Sequence, residues 1–182
     1  MRYHDITKND MKNGDGLRVV LWVSGCEHHC PGCHNPITWN PDDGIVFDDA
    51  AKQEIFKELE HTYCSGITFT GGDPLHPHNR DAVYDIIKEI KQKFPGKTIW
   101  IYTGYRWEDV RYLRAVRESD VLVDGKFEED NKDSTLMWKG SSNQRVIDIQ
   151  RSYHDGAPVL HCEDHYQQPP FHTDMKGPCC CS

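Results

Sequence analysis

Three thiols fall within eight positions in the stretch Gly25-Cys26-Glu27-His28-His29-Cys30-Pro31-Gly32-Cys33-His34-Asn35. The spacing C-x3-C-x2-C lets one short loop wrap a single metal centre. Three is the informative number. Four thiolates close a site, whereas three on a four-iron cluster leave one iron open to a small molecule. The same residues also suit a structural zinc ion completed by His28, His29 or His34, although zinc sites usually show two ligand pairs separated in sequence. No second Cys/His pair of suitable spacing is evident. A second constellation is Gly71-Gly72-Asp73-Pro74. Paired glycines let the backbone pass close to a ligand, their carbonyls can accept hydrogen bonds from an ammonium group, and the Asp73 carboxylate lies beside them. An ordinary tight turn uses the same residue types. Lys126, in Asp124-Gly125-Lys126-Phe127, offers a point charge for a ligand carboxylate. Lys139–Arg145 gathers small donors, amides and a guanidinium into one polar loop.

These residues need elements to hold them. Leu17–Ser24 is a continuous apolar run rich in β-branched residues, the pattern of a strand buried on both faces. Asp48 and Asp49 offer the cap and first-turn charge of a helix whose apolar residues Ile55, Phe56, Leu59 and Tyr63 recur every three to four positions. Gly66–Thr70 reads as a second strand. Val83, Ile86, Ile87, Ile90 and Phe94 form the next helical stripe, stopped by Pro95-Gly96. Thr98–Thr103 is a third strand, a shorter helix spans about Trp107–Val116, Val121–Val123 is a fourth strand, and Val146–Ile149 is a candidate fifth. Strands alternating with helices imply βαβ crossovers and a parallel sheet. Periodicity leaves a partial barrel and an open sheet equally available. In both, the ligand site lies at the carboxyl ends of the strands; the cysteine loop, the glycine pair and Asp124–Phe127 each follow a strand, and Lys139–Arg145 precedes the candidate fifth.

Composition sets the outer bounds. The 182 residues form one domain, too few for a closed eight-unit barrel of about 250. Lys and Arg number 21 against 29 Asp and Glu, a formal charge of −8, and no basic stripe suits a nucleic-acid backbone. No apolar run approaches the ~20 residues of a membrane span, and MRYHDITKND lacks the apolar core of a signal peptide. An intracellular, cytoplasmic protein is expected. In that setting eight Cys point to metal binding or chemistry rather than to disulfides.

The cysteine loop together with Gly71-Gly72-Asp73-Pro74 resembles the radical S-adenosylmethionine (SAM) enzymes, whose corresponding motif is GGEP. More narrowly, the chain resembles the activating proteins of anaerobic ribonucleotide reductase, which are glycyl-radical-enzyme activases. Asn13-Gly14-Asp15-Gly16 with Arg18 is similar to the family's NGPG-x-R. Cys33-His34-Asn35 followed by Trp39 resembles CHN…W, and Thr103-Gly104-Tyr105, Asp124-Gly125-Lys126-Phe127 and Gly140-Ser141-Ser142-Asn143-Gln144-Arg145 resemble TGY, DGKF and GSSNQR. The resemblance implies an α/β fold of the incomplete (β/α) barrel type with parallel strands. It implies that Cys26, Cys30 and Cys33 hold a [4Fe-4S] cluster whose fourth iron binds SAM, with His28, His29 and His34 not ligands. Gly71, Gly72 and Asp73 would hold the ammonium end of SAM, Lys126 its carboxylate, and Asn35 and Arg145 would make further contacts. No catalytic side chain beyond the cluster is implied. Reductive cleavage of SAM would give methionine and a 5′-deoxyadenosyl radical that takes a hydrogen atom from a glycine of the reductase, with a low-potential donor such as a flavodoxin supplying the electron. A barrel with too few strands to close would leave a side opening for that glycine loop.

Two features depart from the pattern. Asp73 stands where the superfamily has Glu, one methylene longer. The chain after about Gln150, ending in Pro178-Cys179-Cys180-Cys181-Ser182, has no counterpart. The expected organisation is an activase domain at 1–149 and a poorly structured, mobile extension at 150–182. Two rivals share part of the pattern: a radical SAM enzyme acting on a small molecule, of the 7-deazaguanine synthase type, and a non-catalytic zinc-binding module. The first has no reason to carry both the DGKF-like and GSSNQR-like segments.

Overall fold

The computed structural model describes residues 1–161. In chain order the elements are β1 (Arg2–Asp10), β2 (Leu17–Val23), β3 (Ile45–Val46), α1 (Asp49–Leu59), β4 (Cys64–Gly71), α2 (Arg80–Lys93), β5 (Thr98–Tyr102), α3 (Trp107–Val110), α4 (Arg114–Arg117), β6 (Val121–Asp124), β7 (Arg145–Asp148), α5 (Ile149–Asp155) and β8 (Val159–Leu160). They form one eight-stranded sheet in the order β3-β1-β2-β4-β5-β6-β7-β8. The four central strands, β2, β4, β5 and β6, run parallel, and the strands outside them pair antiparallel.

Each crossover helix follows from its sequence. The Asp48 carboxylate accepts from Ala51 N–H at 2.9 Å and caps α1, which buries Ala51, Ile55, Phe56 and Leu59. α2 buries Val83, Ile86, Ile87 and Ile90 and ends at Phe94, ahead of Pro95. Both pack on the sheet face carrying Val19, Leu21, Val23, Ile67, Phe69, Ile99, Ile101 and Leu122, and together these residues make the main core. The opposite face, reached by the alternate residues of each strand, holds a smaller cluster of Trp100, Val121 and Val123, with Tyr102, Trp138 and Val146 against it.

That second face is anchored by Arg18, fully buried at the start of β2. Its Nε donates to Thr68 Oγ1 at 2.9 Å, Nη1 to Asp15 O at 3.0 Å and Thr98 Oγ1 at 2.8 Å, and Nη2 to Ile67 O and Thr98 O, both at 2.8 Å. The guanidinium also lies 5.4 Å from the centre of the Trp100 ring. One side chain thus joins β2, β4 and β5 at their amino ends. Burial draws its pKa down to about 10, still cationic at neutral pH. Gly14, at φ +131°, packs so closely that a Cβ would stand 2.8 Å from Arg18 and 2.9 Å from Trp100.

The structure corrects the expectation of parallel strands throughout. The sheet is unclosed, as expected, with β3 and β8 at its edges among the described residues, but it is mixed. The fifth strand exists, as Arg145–Asp148, but runs antiparallel to β6. The segment between them carries a single 3-10 turn at Glu129–Asn131 and no crossover helix, so the chain returns in the opposite sense. The helix expected over Trp107–Val116 is two one-turn helices. The two-stranded edge of β1 and β3 was not legible, because Arg2–Asp10 has a mostly polar, half-solvated sequence.

Residues 150–161 complete α5 and form β8, which pairs with β7, so regular structure continues beyond residue 149. Cys162 and Cys179–Cys181 lie outside the described residues. Among the described residues no helix is long and apolar enough to cross a membrane.

Candidate active site

The loops after β2, β4, β5 and β6 meet at the carboxyl edge of the parallel strands. The cysteine loop leaves β2 at Gly25, whose φ is +100°. Its two ends are tied together, Gly25 N–H donating to Thr38 O at 2.7 Å and Cys26 N–H to Trp39 O at 3.0 Å. Within it Cys33 N–H closes a turn on Cys30 O at 3.1 Å, and Asn35 N–H points at Cys33 Sγ at 3.4 Å. Cys26, Cys30 and Cys33 are free thiols, each partly buried. All three line one cavity of about 590 Å³, within the usual range of roughly 300–1,000 Å³ for ligand sites.

The glycine pair forms the facing wall. Gly72 N–H donates to Val23 O at 2.7 Å and Asp73 N–H to Gly25 O at 2.8 Å, so the loop after β4 is hydrogen-bonded to the end of β2. A Cβ on Gly72 would stand 2.6 Å from Gly25 O and 3.0 Å from Thr38 O, both backbone atoms. Gly71, at φ +97°, would bring a Cβ to 2.9 Å from the Trp22 backbone. Gly72 is required by close approach to the cysteine loop, and Gly71 by its positive φ and close approach to the backbone of β2. Buried Asn79 reinforces the junction, its Nδ2 donating to Ser24 O at 2.7 Å and Asp73 O at 3.0 Å. Nothing in the sequence singled out Asn79.

Asp73 lines the same cavity as the three thiols and is 1% exposed. Its carboxylate accepts from Leu75 N–H, the Thr103 hydroxyl, Gly104 N–H and His28 Nε2. From sequence His28 stands out only as an alternative zinc ligand, and its partnership with Asp73 has no local sequence signal because the two lie 45 positions apart.

The other expected site residues separate. Asn35 lines the thiol cavity. Lys126 lines a neighbouring cavity of about 600 Å³ with Glu27, Tyr105 and Arg106, and His28 and Gly104 border both spaces. Arg145 borders neither. Its Nε donates to Asp124 Oδ1 at 3.0 Å, its Nη2 reaches Asp124 Oδ2, and Nη1 and Nη2 reach the Glu108 carboxylate at 3.1 and 2.8 Å. Those two carboxylates hold the guanidinium protonated. Asp124 also accepts from Trp107 N–H at 2.8 Å, so this cluster fixes the end of β6 and the start of α3. Gln144 works alongside it, with Nε2 donating to Gly125 O at 3.0 Å and Oε1 accepting from Gly140 N–H at 2.9 Å.

The donor chemistry fits an iron–sulfur cluster. Burial pushes the Cys26 thiol up to about 11, against a pull from the His28 backbone amide, and also raises Cys30. Such thiols stay neutral on their own and bind as thiolates only when a metal supplies the compensating charge. Among the described residues no three His, Cys, Asp or Glu side chains converge on a single ion. A cluster, by contrast, spreads its cysteines over separate irons. The Tyr102 hydroxyl, buried on a residue that lines the same cavity, has no hydrogen-bond partner among the described residues.

A 4Fe-4S single cluster domain family matches residues 12–147. The chain is 43% identical over 146 residues to the anaerobic ribonucleoside-triphosphate reductase-activating protein of Enterobacteria phage T4, covering 80% of this chain and 93% of that protein. It is 43% identical over 150 residues to the protein of the same name from Escherichia coli K12, covering 80% and 97%, and 40% identical to that of Haemophilus influenzae over the same shares.

Proposed function

The chain belongs to the family of anaerobic ribonucleoside-triphosphate reductase-activating proteins, and on that premise we propose how its residues serve a radical SAM activase. Cys26, Cys30 and Cys33 hold a [4Fe-4S] cluster through three of its irons. When bound, cluster and SAM together supply a one-electron cleavage that yields methionine and a radical able to take a hydrogen atom from a glycine of the anaerobic ribonucleotide reductase.

The chain's own residues bind, orient and enclose. The backbone of Gly71 and Gly72 receives the ammonium group of SAM, in reach of the cluster because the loop after β4 is bonded to the cysteine loop at Gly25. Asn35 flanks Cys33 on the same cavity wall. Lys126, across His28 and Gly104, attracts the carboxylate end from the adjoining space. Arg145 acts at a distance, by fixing the end of β6 from which Lys126 is carried. We read the unclosed sheet as an incomplete barrel, its missing strands leaving a flank open for the glycine-bearing loop of the partner. The electron comes from a flavodoxin-type donor, in the cytoplasm.

The observation that carries this reading is the meeting of three free thiols and a backbone-jammed glycine pair at one cavity. The test is anaerobic reconstitution with iron and sulfide, followed by reductant and SAM. Iron-loaded protein should yield 5′-deoxyadenosine, with a glycyl radical signal only when the reductase is added. Full activity in Cys30→Ala, or iron-loaded protein that leaves SAM intact, refutes it.

A further inference from the structure

Four donors converge on the Asp73 carboxylate, and an ionised carboxylate offers about four lone-pair sites. Leu75 N–H lies 2.8 Å from Oδ1, and the Thr103 hydroxyl lies 3.0 and 2.8 Å from Oδ1 and Oδ2. Gly104 N–H lies 3.0 Å and His28 Nε2 2.6 Å from Oδ2. The carboxylate only accepts, so His28 Nε2 carries the hydrogen of that bond. All four donors come from the protein, and three of them reach Oδ2. Three of these donors come from the loop after β4 or the end of β5; His28 comes from the cysteine loop. Its side chain is 6% exposed, packs edge-on against Tyr105 with ring centroids 4.5 Å apart, and lies over Gly104 where a Cβ would meet the ring at 2.3 Å. The short Asp side chain makes room for that imidazole. A Glu would carry the carboxylate further by about one carbon–carbon bond, ~1.5 Å, toward the ring.

We propose that His28 is a positioning residue of the cofactor site: its bond to Asp73 locks the cysteine loop onto the glycine-pair loop, while Asp73 stays engaged by the protein and leaves the ammonium group of SAM to the backbone after β4. This rests on reading the cavity as a cluster-and-SAM site. The competing arrangement is displacement, in which the ammonium group takes His28's place on Asp73. The two make opposite predictions for removal of the imidazole.

The experiment compares the full chain with His28→Ala and His28→Gln, the glutamine amide standing in for Nε2–H. His28→Met keeps bulk without the donor, should the alanine variant fail to fold. Iron per chain and SAM affinity by equilibrium dialysis, without reductant, are measured on reconstituted protein, and the unfolding midpoint on metal-free protein. Loss of a charge-assisted bond predicts SAM binding weaker by about tenfold or more in His28→Ala or His28→Met. His28→Gln should lie within about threefold of wild type. SAM bound as tightly as wild type, or tighter, without the imidazole overturns the proposal, as does a glutamine variant no better than alanine. Wild type that takes up no iron defeats the functional reading instead. In that case the metal-free midpoints still decide the loop-locking bond, which requires a drop with alanine or methionine and recovery with glutamine.

Discussion

Replacing Arg145 by Met separates a structural clamp from a cofactor contact. Asp124 is 0% exposed, and Arg145 is its principal cationic partner. Removing one member of a buried pair costs about 3–5 kcal/mol, because the remaining charge stays desolvated. Asp124 would keep the Trp107 N–H at 2.8 Å and has Arg106 Nη1 3.9 Å away, which argues for the lower end, about 3 kcal/mol. The Glu108 contact adds little, since that side chain is half exposed. The expected loss is roughly a hundredfold in the folding equilibrium. Urea unfolding of metal-free protein should show a lower midpoint at unchanged slope. Adding Asp124→Asn removes the stranded charge and should recover at least half of the loss, a non-additivity that reports direct coupling. SAM affinity of the folded, reconstituted Arg145→Met protein should stay within about threefold of wild type. Unchanged stability together with a tenfold loss of SAM affinity would refute the assignment and return Arg145 to the cofactor.

Gly72→Ala places a methyl 2.6 Å from Gly25 O, which cannot move without shifting Cys26. Iron retention and SAM binding should both fall by about tenfold or more, whereas Gly96→Ala, where a Cβ meets nothing within 4 Å, should leave both intact. The third prediction concerns pH. With the Cys26 pKa raised from 9.0 to about 11, the folded metal-free chain holds a proton that the unfolded chain has released between those values. Stability therefore falls as pH rises through about 9 to 11. Unfolding midpoints across that window should decline less steeply in Cys26→Ser; equal slopes would dismiss the effect.

The parallel strands and their crossover helices were legible because a strand buried on both faces and an amphipathic helix each write a distinct period into the chain, as in Leu17–Ser24 and Val83–Ile90. The antiparallel return of β7 was not, because strand direction depends on what the connecting segment does, and residues 125–144 have no periodic pattern to declare it. The thiol loop and glycine pair were legible as motifs, since short-range spacing carries their meaning. Their meeting at Gly25 O, and the grouping of His28, Thr103 and Gly104 around Asp73, arise from tertiary contacts between distant segments. Arg145 illustrates the limit of a motif. A guanidinium in a polar loop looks equally suited to a ligand or to a buried carboxylate, and in the sequence nothing shows that Asp124 lies within its reach.

Among the described residues, Arg18 is a cation whose hydrogen-bond acceptors are backbone carbonyls and threonine hydroxyls, with no carboxylate in contact. Dissolved salt has no ion pair to screen there, and those neutral acceptors do not titrate over the range in which histidines and carboxylates change state. The hydrogen bonds that join β2, β4 and β5 at their amino ends therefore keep their partners across changes of salt and pH, with the Asp15–His161 pair and the partly buried Asp120 carboxylate as the titratable groups nearby.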